Sequence, residues 1–235
     1  MTWIEIKGVN MTKKLIKPGT MLYPVPAVMV SCNDKNGNNN IITIAWTGTI
    51  CSDPPMVYVS IRSERFSHEM IKESGCFVIN IPTEKLVKEM DYCGVASGRD
   101  IDKFHACGLT AVKSSIVSAP LINECPVNIE CKVKDIISLG SHDMFIAEVV
   151  AVNVNENIFS DTGKILLNKA GLISYCHGEY RSLGASIGTF GYSVRKKPMK
   201  QGDEIKKVTK AKEAAEKAAK AELKAKINKE KKRGK

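Results

Sequence analysis

The sequence predicts a mainly β fold with helices: an antiparallel β-barrel with a few helices packed outside it, followed by a basic helical or disordered tail. Three observations carry this. Strand-like text outnumbers helix-like text over residues 1–200. The helices do not alternate regularly with strands, as a doubly wound sheet requires. Near Gln201 the composition changes abruptly to Lys, Ala and Glu, which separates a tail at 201–235 from the body at 1–200.

A chain of 235 residues, 43% of them hydrophobic, supports a substantial core. Residues 27–31 (AVMVS) lead to Asn36-Gly37, a strong turn signal, and then to IITIA at 41–45, a hairpin with a longer loop. Residues 56–61 and 76–81 are further strands, and between them SHEMIKES has an amphipathic helix pattern with Ser67 as its N-cap. Thr83 and Glu84 open a second helix running to about Cys93, with Leu86, Val87 and Met90 on one face. In 127–137, Ile129, Cys131 and Val133 alternate with Glu130, Lys132 and Lys134, the pattern of a half-buried strand. Leu139-Gly140-Ser141 turns that strand into a long apolar one at 144–154.

The net charge of +10 has a location. Residues 201–235 hold 13 Lys/Arg against 6 Asp/Glu, so about +7 of it sits in the tail and the body is nearly balanced. The tail's strong helix formers, with Glu213 to Lys217 and Glu216 to Lys220 at i,i+4, suit a solvated helix. Its apolar positions are mostly Ala, too small for a coiled-coil seam. A nucleic-acid or anionic-surface contact through clustered Lys is the alternative.

The eight cysteines are dispersed without a CxxC pair, and several sit in apolar strand text, as in GCFVINI and IECKV. They read as reduced thiols in a cytoplasmic protein. Neither a signal peptide nor a run of about 18 apolar residues is present, so no membrane contact is expected. The four histidines are scattered, and adjacent Cys176-His177 would point to opposite faces of a strand, so no metal site is expected. Gly184, Gly188 and Gly191 lack the spacing of a dinucleotide loop, and no GxxxxGK[ST], HExxH or GxSxG motif occurs.

The stretch AWTGTICSDPPMVYVSIRSERFSHEM carries the functional signal. A loop with Thr47, Gly48, Thr49, Cys51 and Ser52 offers hydroxyls and backbone N–H groups, Gly48 allows close approach of a planar ligand, and Trp46 walls one end. Pro54-Pro55 stiffens re-entry into the next strand. One strand later, Arg62, Arg65 and Ser67 supply two guanidinium forks and a helix N-terminus, an anion site. A planar polar head beside a phosphate describes a nucleotide. A capped turn with surface arginines is the other reading.

Six segments in collinear order extend this: PAVMVSCND; NGNNNIITIAWTGTICSDPPMVYVSIRSERFSHEMIKESGCFVINIP; GRDIDKFHACGLT; APLINECPVNIECKV; LGSHDMFIAEV; and SLGASIGTFGYSVRKK. Together, over about residues 18–197, they resemble the flavin reductase-like, FMN-binding split-barrel family, particularly its flavoredoxin branch. The resemblance implies a split β-barrel that forms a homodimer and holds FMN at the subunit interface. Carried onto this chain, it implies that Trp46, Thr47, Gly48, Thr49 and Cys51 line the isoalloxazine ring. Arg62, Arg65 and Ser67 would hold the phosphate, and Lys103, in Asp102-Lys103-Phe104, would contact phosphate or ring. Many members carry Gly-Asp-His near a nicotinamide site. Gly140-Ser141-His142 stands here, with His142 the catalytic candidate.

Two functions of different class follow. One is an oxidoreductase that takes electrons from NADH or NADPH and passes them through FMN to flavin, iron or another acceptor. The other is an FMN-carrying protein that exchanges electrons with a redox partner protein, which the missing Asp favours. Cys51 is a redox candidate or a small packing residue, and Tyr175, Tyr180 and Phe190 either border the ring or pack in the core.

Overall fold

Seven strands form one antiparallel sheet in the computed structural model, which describes residues 3–5 and 12–195 and six tail positions (210, 212, 213, 216, 217 and 220). They are β1 (Val28–Asn33), β2 (Asn39–Ile44), β3 (Thr47–Ser52), β4 (Pro55–Ile61), β5 (Cys76–Ile81), β6 (Val127–Ser138) and β7 (Asp143–Val154). Their order is β2-β1-β5-β6-β7-β4-β3, with every neighbouring pair antiparallel. β2 and β3 stand at opposite ends of that order, yet only Ala45 and Trp46 separate them. The sheet therefore curls until its edges meet at this link, giving a barrel split along one seam. The Ser60 N–H donates to the Trp46 carbonyl at 2.8 Å and ties the link to β4.

The inward cluster joins Val28, Val30, Ile42, Ile44, Val57, Val59, Phe77, Ile79 and Phe145. The outer face of β1 and β2 is covered too. There Met29 and Ile41 pack under Met90 and Cys93 of α2 (Val87–Val95) and Phe104 of α3 (Lys103–Ala106). Burial on both sides is why residues 27–30 read as an apolar run without alternation.

Helix α1 (Phe66–Ser74) departs from the expectation of helices outside the barrel, because its Met70 and Ile71 belong to the inward cluster. Its N-cap is Arg65, and Ser67 is a buried position inside the first turn whose hydroxyl accepts from the Asn40 amide at 2.8 Å. A tertiary hydrogen bond thus takes the oxygen that a cap would have used. The second helix opens with a short tight turn at Glu84–Leu86 and ends at Val95.

Two further expectations are corrected. Residues 47–52 form no loop: they are edge strand β3, paired with β4 from Thr47↔Val59 to Ser52↔Pro55, with an irregularity between Thr49 and Cys51. The Thr-rich text suits a pleated strand, and the ladder consumes backbone groups that a loop would have offered to a ligand. In β6, simple alternation puts Glu130 on the same side as Lys132 and Lys134, in water. Instead Glu130 is fully buried beside a register shift. Its carboxylate accepts the backbone N–H groups of Ser115 (2.8 Å), Ile116 (2.7 Å) and Val117 (3.1 Å) and the Asn153 amide (2.8 Å). Burial alone would raise its pKa, but these donors outweigh it and the net shift is downward.

The chain divides into two compact units, Met1–Gly184 with the barrel and Ala185–Lys235. The described tail positions are helical and exposed; the nucleic-acid reading rests on lysines that mostly lie outside the described residues. Among the described residues no helix is long and apolar enough to cross a membrane.

Glu130→Gln replaces an acceptor-only group with one whose NH₂ faces donors. It is expected to lower stability by about 2–4 kcal/mol at pH 7 in urea unfolding. Because the folded pKa is depressed, the wild-type advantage is present above the unfolded value of about 4.3 and fades as pH falls through the folded one, so the difference narrows in acid. Equal stability at pH 7 would contradict this role.

Candidate functional site

Two adjoining cavities lie where β2, the Ala45-Trp46 link, α1 and the 94–99 segment converge, and they share Ile42 and Arg65. The first, about 200 Å³, lies at the N-terminus of α1. No side chain caps that helix end, so its leading N–H groups carry their partial positive charge toward the cavity. Three cations gather there. Arg65 donates to the Gly94 carbonyl. Arg99 donates to the Glu64 carbonyl at 3.0 Å, with its guanidinium 5.3 Å from the centre of the Phe66 ring. Lys103 is buried, its ammonium donating to the carbonyls of Ile41 (2.7 Å) and Cys93 (2.8 Å).

Burial pushes the Lys103 pKa below its ordinary value, and the nearby Arg65 charge acts the same way. An anion in the cavity would relieve that repulsion and use the third N–H of the ammonium. The one carboxylate at the rim, Glu64, pairs with Arg62 at 3.5 Å. The chemistry of the cavity is that of an anion site built from a helix end, two planar forks and a point charge.

The second cavity, about 260 Å³, runs along residues 42–46 and is bounded by Trp46, Ser60, Arg62 and His142. The Trp46 ring is braced by Tyr23, with centroids 6.3 Å apart. His142 Nδ1 is engaged by Ser141 Oγ at 2.9 Å. The next residue, Asp143, is held by His68 of α1, Nε2 to Oδ2 at 2.9 Å, and His68 is itself buried edge-on against Phe145. A Ser138 side-chain hydrogen bond and then His68 hold the Asp143 carboxyl below the usual range.

Six of the ten residues singled out from sequence therefore come together. Trp46, Arg62 and His142 line the second cavity, Ser67 and Lys103 the first, and Arg65 both. Arg62 is on the Trp46 side, away from the helix end. Thr47, Gly48, Thr49 and Cys51 lie on β3 and line neither cavity. Thr47 Oγ1 donates to the Tyr58 carbonyl (2.6 Å), Gly48 lies against the Tyr58 ring, and Cys51 Sγ contacts the Asp53 carbonyl at 3.4 Å. Tyr175 and Tyr180 pack with the α2 and α3 cluster, the Tyr180 hydroxyl donating to Asp91 at 2.8 Å.

Sequence reading missed Asn40, Gly98 and Arg99. Arg99 stands in the GRDIDKF segment that yielded Lys103, so a signal for it existed. Asn40 was hidden in a run of three asparagines that reads as turn. At Gly98 a Cβ would sit 2.2 Å from Asn40 Oδ1, so only glycine lets the 96–99 loop close on β2.

Residues 20–184 match the family model described as "Flavin reductase like domain". The chain is similar to the solved flavoredoxin of Desulfovibrio vulgaris (Miyazaki F), with 34% identity and a TM-score of 0.73 over 78% of this chain and 100% of that one. The flavoredoxin from Methanosarcina acetivorans superimposes with a TM-score of 0.70 at 27% identity, over 78% and 100% of the two chains. A protein of Archaeoglobus fulgidus is 33% identical over 131 residues, 56% of this chain and 73% of that protein.

Gly98→Ala is expected to cost about 1–3 kcal/mol in thermal or urea unfolding, because Asn40 must leave Ser67 to admit the methyl group. Asn40→Ala in the same background should recover part of the loss; equal loss in the double variant would show that the clash is not with Asn40.

Proposed function

This chain belongs to the flavin reductase-like family, and from that membership we propose that it binds FMN across the two adjoining cavities and transfers electrons through it from NADH, NADPH or a reduced partner to an acceptor. The observation that carries the reading is the sharing of Arg65 between an anion cavity at a helix N-terminus and a cavity bounded by Trp46. Together they match a ligand with a phosphate at one end and a planar polar head at the other. The residues fit that group: Arg65, Arg99, Lys103 and the first turn of α1 would hold the phosphate, and the 42–46 backbone with Trp46 would border the ring.

Bound flavin supplies the redox chemistry, accepting and releasing electrons at its ring. The chain's own groups bind, orient and hold protons. Lys103, fixed by two carbonyls, presents its charge without side-chain reorganisation. The Ser141 contact occupies His142 Nδ1 and leaves Nε2 as the nitrogen that can exchange a proton with a group in the second cavity.

A specific observation favours a second form of the reading, a flavin-carrying electron-transfer protein that uses a pyridine nucleotide poorly. Ser141 stands where the resemblance implies Asp in many members, and the acid that follows His142, Asp143, is bound by His68. Anaerobic addition of NADH or NADPH to the FMN-loaded protein separates the two forms: rapid bleaching of the flavin band supports the reductase, and bleaching by dithionite alone supports the carrier. The homodimer is part of this proposal. Leu15 (75% exposed), Ile16 (60%) and Leu22 (84%) are exposed apolar side chains that a second copy would cover. Sedimentation equilibrium at micromolar concentration checks it, and a monomer would overturn it.

Arg65→Ala is expected to weaken FMN binding by about 1.5–3 kcal/mol, the worth of a charge-assisted contact. Arg62→Ala should cost less, since Arg62 lines the second cavity and already pairs with Glu64. Fluorescence titration with FMN measures both, and equal losses would move the phosphate toward Arg62.

A further inference from the structure

Between α2 and α3, two thiols face each other. Cys93 Sγ of α2 lies 3.8 Å from Cys107 Sγ at the C-terminal cap of α3, against about 2.05 Å in a formed disulfide. Cys93 is buried. Cys107 is half-buried and lines an open cavity of about 550 Å³ with Lys88, Glu89, Asp91, Tyr92 and Val95. The same two residues frame Lys103: its ammonium donates to the Cys93 carbonyl, and the Cys107 N–H donates to the Lys103 carbonyl at 3.1 Å.

We propose that Cys93 and Cys107 are a thiol–disulfide couple, oxidised by small-molecule disulfides that enter through this cavity, whose closure stiffens the Lys103 side of the anion site. The Cys107 thiolate attacks one sulfur of the incoming disulfide, whose S–S bond breaks and releases a thiolate. The Cys93 thiolate then attacks the Cys107 sulfur and expels the second thiolate. Two protein thiols lose two electrons and two protons, and the small disulfide becomes two thiols. The new bond ties α2 to α3 across the carbonyl and the backbone that hold Lys103.

The environment sets the pace. Burial pushes the Cys93 thiol up to about 12 and raises that of Cys107; Glu89 opposes the Cys107 thiolate, whereas Lys103 and the Cys93 contact favour it. With both thiols protonated at neutral pH, the rate is expected to rise about tenfold from pH 7 to pH 8.

The test uses the full chain treated with oxidised glutathione, blocked with iodoacetamide under denaturing conditions and mapped by mass spectrometry. The expected product is a Cys93–Cys107 disulfide peptide, with glutathione trapped on Cys107 in Cys93→Ser. If the half-exposed Cys51 and Cys176 become glutathionylated while Cys93 and Cys107 remain fully alkylated, the couple is overturned. The link to Lys103 rests on the FMN reading and is measured apart from it. FMN should bind at least threefold tighter to oxidised than to reduced wild type, with no change in Cys93→Ser treated alike. Unchanged affinity in both overturns the link, whereas failure of either redox form to bind FMN strikes the flavin reading and leaves the disulfide map to judge the couple.

Discussion

A two-residue link closes this barrel. β2 and β3 occupy opposite edges of a seven-stranded sheet, and Ala45-Trp46 has no length with which to span a flat one. The sheet must curl, and its natural twist and the short turn at 53–54 cooperate in doing so. Everything at the candidate site inherits this constraint. Trp46 sits at the seam because it is the link, and Arg62 and Arg65 lie beside it because β4 returns along β3 and ends there. Helix α1 starts four residues after Arg62, and its first turn meets β2 through Asn40 and Ser67.

Once the barrel is closed, buried polar pairs decide how its parts are registered. Asn80 on β5 donates to the Met29 carbonyl (3.0 Å) and Ser31 Oγ (2.8 Å) and accepts from the Ile122 N–H (2.9 Å) and the Asn128 amide (2.8 Å). Asn40 to Ser67 does the same for α1 against β2, and Glu130 for the 115–117 backbone against β6. Apolar faces tolerate sliding by a step of two residues; a fully satisfied amide or carboxylate in a low-dielectric interior does not. The anion site is a by-product of this order. Lys103 is held by carbonyls of β2 and α2, so its charge is placed by two elements that the core has already fixed.

The reductase and carrier forms of the proposal make similar demands on this arrangement. Both need a cationic helix end and a bordered planar groove. They differ in what stands at the His142 end, where the Asp143 carboxylate is spent on His68, the residue that joins α1 to the start of β7. A carboxylate that stabilises the docking of a helix is not available to a second ligand.

From the sequence alone, the mainly β class, the family and the density of cations between Arg62 and Ser67 were legible, because strand periodicity, turn residues and charged side chains are local properties of the chain. The same locality explains the misses. Thr47 to Cys51 reads as a ligand loop until β4 claims its backbone, Ser67 reads as a cap until Asn40 claims its hydroxyl, and Glu130 reads as solvated until three N–H groups from a segment 13 to 15 residues away surround it. Arg99 and Gly98 enter the site from α2's far end, and Cys93 meets Cys107 only because α2 and α3 cover one face of the same two strands. Hydrogen-bond capacity is written in the residue type, but which partner consumes it depends on contacts between distant segments, and those exist only after the chain has closed on itself.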